Sequence, residues 1–288
     1  MKNFITRALT GILFVAVLVG GIVYNEITFG ALFLLITILS TREFCSLMND
    51  REDVQVNTLI TSMASGMLFA AFYCYNRNLC DAAIFLPYLA SIVYLLVAEL
   101  YLNRSNPINN WACTMMSQMY VALPFSLLNV LTFHTDPVHP LAEVNFQWIL
   151  PLSVFCFIWA SDTGAYLVGS MLHNVFPAKL FPRISPKKSW IGSIGGGLLT
   201  VGVSALIYWW EVSTGQQSTL PLLQWMGLAL VVVFFGTWGD LVESLIKRTL
   251  GIKDSGNILP GHGGMLDRFD SSLLAIPASV IYLYWIQM

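Results

Sequence analysis

The stretch from Ser244 to Asp270 gathers side chains that could do chemistry in a chain of which only 10% of the residues are charged. Its charged and titratable side chains are those of Lys247, Arg248, Lys253, Asp254, His262, Asp267, Arg268 and Asp270. Glycines and Pro260 interrupt any regular element between Arg248 and Leu266, which predicts a helix end, a tight polar loop and the start of another helix. Cations, carboxylates and flexible backbone together are typical of a site that handles phosphate and binds a metal ion.

Five polar residues recur at helical intervals where this stretch begins, namely Asp240, Glu243, Ser244, Lys247 and Arg248. Spacings of three and four residues place them along one side of a helix. An exposed Glu243–Lys247 pair explains two of them without any function. Asp240 follows the apolar run FFGTWG, where a carboxylate without a partner is costly, so we favour a functional role for it.

Two aspartates close to the last apolar segment could also bind a metal ion. Asp267 and Asp270 are three residues apart and would face the same way if a helix began near Leu266. The helix dipole alone favours carboxylates there, which is a purely structural explanation. Mg²⁺ offers a functional one, because it takes one or two carboxylates together with substrate phosphates and water. The pattern allows Asp240 and Asp267 to share such an ion.

A second cationic segment, KLFPRISPKKSW, lies upstream. Lys187 and Lys188 precede Ser189, which is a predicted helix N-cap. Two interpretations stay open: an anchor on the cytoplasmic side of a membrane, or a clamp for phosphate. Further upstream, Asp162 interrupts an apolar run. A carboxylate there predicts a cationic or metal partner, or a helix break at Gly164.

His262 lies in a glycine turn, where a solvated loop residue and a functional residue are equally compatible with the pattern. The glycines that follow, Gly263 and Gly264, let backbone amides approach an anion closely.

Composition decides which elements must position these residues. The chain has 288 residues, of which 56% are hydrophobic, and a mean hydropathy of +0.69. This indicates an all-α, polytopic membrane protein. A net charge of −2 and the lack of a basic stripe argue against nucleic acid as a partner. Windows of about 20 apolar residues predict about nine membrane spans, near 8–24, 27–41, 58–76, 82–102, 111–133, 146–170, 190–210, 221–246 and 271–287.

Basic residues predict the orientation of these spans. If Lys2 and Arg7 lie inside, before an uncleaved first span, thirteen of the fourteen lysines and arginines fall on that side, and Arg77 alone lies opposite. This places the N-terminus and both cationic segments in the cytoplasm. We predict a scaffold of about five spans in residues 1–145 and about four spans with the catalytic loops in residues 146–288.

The polar stretch follows one long pattern, Ser244-x-x-Lys247-Arg248, then Lys253-Asp254-x-Gly256-x-x-Leu259-Pro260-x-His262-Gly263-Gly264-Met265-x-Asp267-Arg268-Phe269-Asp270. It resembles the signature of the phosphatidate cytidylyltransferases, also called CDP-diacylglycerol synthases. Two further motifs are similar to that family, namely Asp162-Thr163-Gly164-Ala165-Tyr166 and Ile184-Ser185-Pro186-Lys187-Lys188-Ser189. One departure is Ile191, which stands where the family usually has glutamate and so removes a carboxylate.

The resemblance implies transfer of CMP from CTP to phosphatidate, with Mg²⁺, in a multi-pass protein of the inner (cytoplasmic) membrane whose active site faces the cytoplasm. It also suggests a homodimer. It implies a catalytic set of Asp240, Asp267, Lys247 and His262. It implies metal ligands Asp240 and Asp267, with Asp270 and Asp162 as further candidates. It implies a substrate-binding set of Ser185, Lys187, Lys188, Ser244, Arg248, Lys253 and Arg268.

Other functions are also weighed against the sequence. One is a cytidylyltransferase or a CTP-dependent kinase acting on another membrane lipid. A CDP-alcohol phosphotransferase is disfavoured, because its D-G-x-x-A-R core is missing. From a different class, an ion-coupled secondary transporter would use Asp162, Glu99 and Asp240 as ion sites. Against it, the polar residues cluster towards one membrane face.

Overall fold

The computed structural model describes residues 2–134, 144–172, 174–215, 218–256, 258 and 263–287 of the chain. Helices dominate the described residues, as predicted, and the only strands among them form two short antiparallel pairs. Within these ranges eight helices are long and apolar enough to cross a membrane. The first predicted span falls in a 22-residue helix, of which Leu9–Val23 is the apolar part. The protein is therefore an all-α, polytopic membrane protein.

The chain divides into two compact units, Met1–Ile149 with Ile252–Phe269, and Leu150–Gly251 with Asp270–Met288. The segment Ile252–Phe269, here called the glycine-rich segment, thus packs with the first unit. The compact units are divided differently from the predicted groups of spans, 1–145 and 146–288.

The first unit is a helical bundle. Its elements are α1 (Lys2–Val23), α2 (Glu26–Asn49), α3 (Thr58–Asn76), α4 (Leu86–Leu102), α5 (Pro107–Ser117), α6 (Leu123–Thr132), β1 (Phe133–His134), β2 (Asn145–Phe146) and, from the glycine-rich segment, α10 (Leu266–Phe269). Asn25 caps α2 through its side chain, which accepts a hydrogen bond from the Thr28 amide at 2.8 Å. A single wider turn, Gln118–Ala122, joins α5 to α6 just before Pro124, which lacks an amide to donate.

The second unit contains α7 (Ile149–Leu172, beginning at the boundary), β3 (Lys179–Phe181), β4 (Ser185–Ser189), α8 (Trp190–Ser213), α9 (Leu222–Thr249) and α11 (Ser272–Gln287). Glycines allow α7 and α8 to approach closely: a Cβ atom on Gly196 would lie 2.6 Å from the Ser161 carbonyl oxygen. The same holds for α9, where a Cβ atom on Gly239 would lie 2.7 Å from the Asp270 carbonyl oxygen. These approaches bring the polar ends of the helices of this unit together.

Three local predictions are wrong. The second span does not end at residue 41, because Phe44, Cys45, Leu47 and Met48 continue its buried face to Asn49. Arg42, which the predicted span boundary leaves in a loop, therefore lies within this helix. Of the two alternatives stated for Asp162, the helix break is excluded, since α7 is continuous through Gly164.

The other two concern the cationic segments: the upstream one was expected to be a loop, and the later one to begin a helix carrying both Asp267 and Asp270. The upstream segment is a β-hairpin, in which Lys179 pairs with Ser189 and Phe181 with Ser185. Near the C-terminus, α10 ends at Phe269 and α11 begins at Ser272, so Asp267 and Asp270 do not share one continuous helix.

Candidate functional site

In the second unit, two of the predicted site residues, Lys188 and Asp240, form an ion pair. The ammonium group of Lys188 lies 2.6 Å from Oδ2 of Asp240 and donates to the Thr237 carbonyl oxygen at 3.3 Å. Oδ1 of Asp240 accepts a hydrogen bond of 3.0 Å from Ser244, one helical turn further along α9. The Lys188 and Asp240 side chains are 22% and 27% exposed, so the pair is accessible from solvent.

Local sequence explains how Lys188 reaches α9. Ser189 caps α8 as predicted, accepting a hydrogen bond of 3.2 Å from the Gly192 amide. Because Lys188 is the strand residue just before this cap, the hairpin and the helix start together fix its backbone. Lys187, the preceding residue of the strand, is exposed.

The hairpin forms one wall of a polar cavity of about 460 Å³ within the second unit. Three lysines, Lys179, Lys187 and Lys188, line it together with Asp162 and Tyr166 of α7. Small residues complete the lining, among them Ser161, Gly169, Ser189, Gly192, Ser193 and Thr237. Ser185 belongs to the hairpin but is not among the lining residues. A cavity with three ammonium groups is suited to hold phosphate groups.

Further carboxylates interact with Asp240. Asp162 lines the same cavity as Lys188, whose positive charge favours the ionised form of Asp162, whereas the negative charge of Asp240 opposes it. Asp270 interacts with Asp240, Glu243 and Lys247. Its Oδ1 also accepts a hydrogen bond of 2.6 Å from the Ser271 amide.

The Glu243–Lys247 pair is present but is not at the surface. Its ion pair is 2.7 Å long, and the two side chains are 0% and 12% exposed. The interpretation of Glu243 and Lys247 as an exposed pair is therefore wrong, because this side of α9 packs inside the unit. Arg248 follows at an exposed position.

Asp267 belongs to the first unit, in the glycine-rich segment. Its Oδ2 atom accepts hydrogen bonds of 2.8 Å from both the Ser255 and the Gly264 amides. Gly263 has φ +85°, and a Cβ atom there would lie 2.6 Å from Oδ2 of Asp267, so the turn requires glycine. The amide of Gly264 does approach an anion, as predicted, and that anion is the Asp267 carboxylate.

The remaining predicted residues of this segment are less constrained. Lys253 and Arg268 are exposed in the first unit. His262 lies outside the described residues, as do Leu259, Pro260 and Gly261.

The fit to a magnesium ion can be tested on these carboxylates. Among the described residues, no group of three or more His, Cys, Asp or Glu side chains could hold a metal ion by itself. Mg²⁺ does not need such a group, since it keeps water and takes substrate phosphates besides one or two carboxylates. Metal-binding carboxylates also accept hydrogen bonds of the kind that Ser244 gives Asp240 and two amides give Asp267. Asp240 in the second unit and Asp267 in the first therefore each have the chemistry of a Mg²⁺ ligand.

Sequence reasoning missed Lys179, which lines the cavity, and Glu43. Glu43 of α2 accepts hydrogen bonds from both ends of the glycine-rich segment. A charged residue inside an apolar span would have indicated a function for Glu43, but the second span was predicted to end at residue 41, two residues before it.

The comparisons with known proteins agree with the motifs. A sequence model of the cytidylyltransferase family matches residues 5–286. The phosphatidate cytidylyltransferase of Staphylococcus aureus (strain COL) is 44% identical over 133 residues, which are 46% of this chain and 48% of the relative. That of Bacillus subtilis (strain 168) is 43% identical over 129 residues, 45% of this chain and 44% of the relative.

A third relative, from Haemophilus influenzae (strain ATCC 51907 / DSM 11121 / KW20 / Rd), carries the same name and is 38% identical over 151 residues, 52% of this chain and 49% of the relative. The chain spans about half the length of the curated relatives it matches. Since the family model covers nearly all residues, the resemblance predicted from the motifs is confirmed, and the chain belongs to the cytidylyltransferase family.

Proposed function

We propose that the protein transfers CMP from CTP to phosphatidate, giving CDP-diacylglycerol and pyrophosphate. The observation that carries the proposal is the Lys188–Asp240 pair beside a cavity lined by three lysines. Ammonium groups there would hold phosphates, while Asp240 would hold a metal ion that neutralises part of their charge. The relatives named phosphatidate cytidylyltransferase support the same choice of substrates.

In this reaction a phosphatidate phosphate oxygen forms a bond to the α-phosphorus of CTP. The bond from that phosphorus to the oxygen bridging to the β-phosphate breaks, and pyrophosphate leaves. The nucleophile is a phosphate monoester, already largely ionised at neutral pH, so no strong general base is needed. Charge neutralisation and positioning of two anions are the main tasks of the protein.

Different residues would bind the phosphates, hold the metal ion and orient the substrate. Lys187 and Lys188 would bind phosphate oxygens, and Lys247 and Arg248 would add positive charge at the end of α9. Asp240 and Asp267 would be ligands of Mg²⁺, which supplies Lewis-acid stabilisation of the developing charge. Asp270 and Asp162 would tune the charge around Asp240, and Arg268, Lys253, Ser185, Ser244 and His262 would orient substrate.

The site would face the cytoplasm from the inner membrane, where CTP is available. The bias of basic residues to one side supports this orientation, and the homodimer is supported only by the resemblance. Of the three acids in the transporter alternative, Glu99 is paired with Arg104 at 2.7 Å and accepts from Asn110 at 3.0 Å.

The test is an assay of purified protein in detergent with labelled CTP and phosphatidate. The proposal predicts equal amounts of pyrophosphate and labelled liponucleotide. Release of CDP with a phosphorylated lipid would instead identify a kinase. Product from another lipid phosphate, with none from phosphatidate, would correct the acceptor.

A further inference from the structure

The buried carboxylate of Glu43 contacts the glycine-rich segment at both ends. Glu43 lies in α2 of the first unit and is 7% exposed. Its Oε2 atom accepts a hydrogen bond of 2.8 Å from the Met265 amide, and Oε1 accepts one of 3.1 Å from the Leu266 amide. Oε1 also accepts from the Ser255 hydroxyl. One side chain thus joins residues that precede and follow His262 in the sequence.

Two glycines make this contact possible. A Cβ atom on Gly256 would lie 3.0 Å from the Glu43 carboxylate, and one on Gly264 would overlap with Oε1. Any larger residue at Gly264 would push the segment off the carboxylate. The glycines at these two positions therefore serve the approach of backbone to Glu43.

The hydrogen bonds also account for the burial of a charge. A buried carboxylate is stable only when charge-assisted hydrogen bonds replace its water. The donors described for Glu43 all belong to the glycine-rich segment, so displacing that segment would strip them from the carboxylate. Loss of partners from a buried charged group is costly, and this cost holds the segment in one position.

Asp267 is the residue that this arrangement would position. Its Oδ2 atom binds the amides of Ser255 and Gly264, which are directly next to the groups that Glu43 binds. Phe269, at the end of the same segment, is buried against Phe125 and Phe14 with ring centroids 5.3 Å and 5.7 Å apart. The segment is thus fixed by Glu43 near both ends and by an aromatic cluster at its last residue, Phe269.

We propose that Glu43 is a positioning residue for the reaction: it orders the glycine-rich segment and so sets the place of Asp267. The role in turnover rests on the proposed function above, whereas the hold on the segment does not. Glu43 itself touches no reacting atom in this account.

The first test is hydrogen–deuterium exchange of the purified full chain, which needs no substrate. Glu43→Ala should speed exchange at the amides of residues 252–256 and 263–269, and Glu43→Gln should do so less, because its amide oxygen can still accept. Glu99→Gln is the control: Glu99 is another largely buried carboxylate of the same unit, with 7% of its side chain exposed. Unchanged exchange in Glu43→Ala, or faster exchange throughout the first unit, would overturn the proposal.

The second test is kinetic. A misplacement of about 1 Å costs roughly 100-fold in rate, so Glu43→Ala should lower kcat strongly while KM for CTP stays nearly the same. Glu43→Gln should fall between wild type and Glu43→Ala, and Glu99→Gln should keep the wild-type kcat. A wild-type kcat in Glu43→Ala would reject the positioning role. Failure of wild type to form any liponucleotide would reject the proposed function and leave the exchange result standing.

Discussion

The two aspartates at the centre of the proposed reaction are held by different kinds of partner. In the second unit, Asp240 is bound by side chains, namely the Lys188 ammonium and the Ser244 hydroxyl. In the first unit, Asp267 is bound by backbone amides of Ser255 and Gly264. Side chains can rotate away, whereas these amides move only if the glycine-rich segment moves.

The different partners of Asp240 and Asp267 suggest that the two aspartates would have different roles in the proposed reaction. The partner of Asp240 can leave it for a substrate phosphate, so Asp240 is suited to a step in which charges are exchanged. Asp267 is preorganised, and preorganised groups stabilise a transition state without reorganisation cost. The resemblance alone treats both as equal metal ligands.

The largest expected effect comes from neutralising either aspartate. Asp240→Asn and Asp267→Asn should each lower turnover more than about 100-fold, because each removes charge that stabilises the transition state. Turnover is measured as liponucleotide formed per minute at saturating substrates and Mg²⁺. Asp53→Asn is the control, since Asp53 pairs with Arg51 at the surface with 43% of its side chain exposed. Full activity in either aspartate variant would remove that residue from the mechanism.

The lysines of the hairpin should give a smaller effect, on binding. Lys188→Ala should raise KM for CTP by about tenfold or more, as expected for losing a charge-assisted hydrogen bond. Lys187→Ala should raise it less, because that side chain is exposed, and the double variant should mainly weaken binding. Arg183→Ala is the control, since Arg183 lies in the same hairpin but is not among the residues lining the cavity. An unchanged KM in the double variant would favour the membrane-anchor interpretation.

The smallest effect concerns the scaffold of the second unit. In Gly196→Ala the new methyl group would meet the Ser161 carbonyl oxygen, so we expect a loss of about 1–3 kcal/mol in stability. Gly202→Ala in the same helix should be harmless, because nothing lies within 4 Å of its added Cβ atom. Thermal unfolding in detergent measures both. Equal melting temperatures would show that α7 and α8 do not depend on this close approach.

Much of the fold could be predicted from hydropathy, because apolar runs of about 20 residues determine where helices cross a membrane. The Ser189 cap could also be predicted, since serine before an apolar run is a local signal. The hairpin was missed because Pro182, Pro186 and its many charges are typical of a loop. Its strands are held by pairing across the turn, which local composition does not show.

The site was predicted less completely than the fold. Motif spacing selected Asp240, Asp267 and Lys188, but it could not reveal that Lys188 pairs with Asp240 or that amides bind Asp267. Glu43 was missed for a related reason: it lies 212 residues before Ser255, its hydrogen-bond partner. Contacts between residues far apart in the chain follow from packing, and a single sequence contains no direct record of them.

The central claim is that Asp240 and Asp267 serve the same chemical step, as we propose from the resemblance. The most direct test compares turnover of Asp240→Asn, Asp267→Asn and the double variant at saturating Mg²⁺. Residues that act as a unit are strongly non-additive, so the double variant should lose no more activity than the more damaged single variant. Losses that multiply, to about 10,000-fold if each single loss is 100-fold, would contradict the claim.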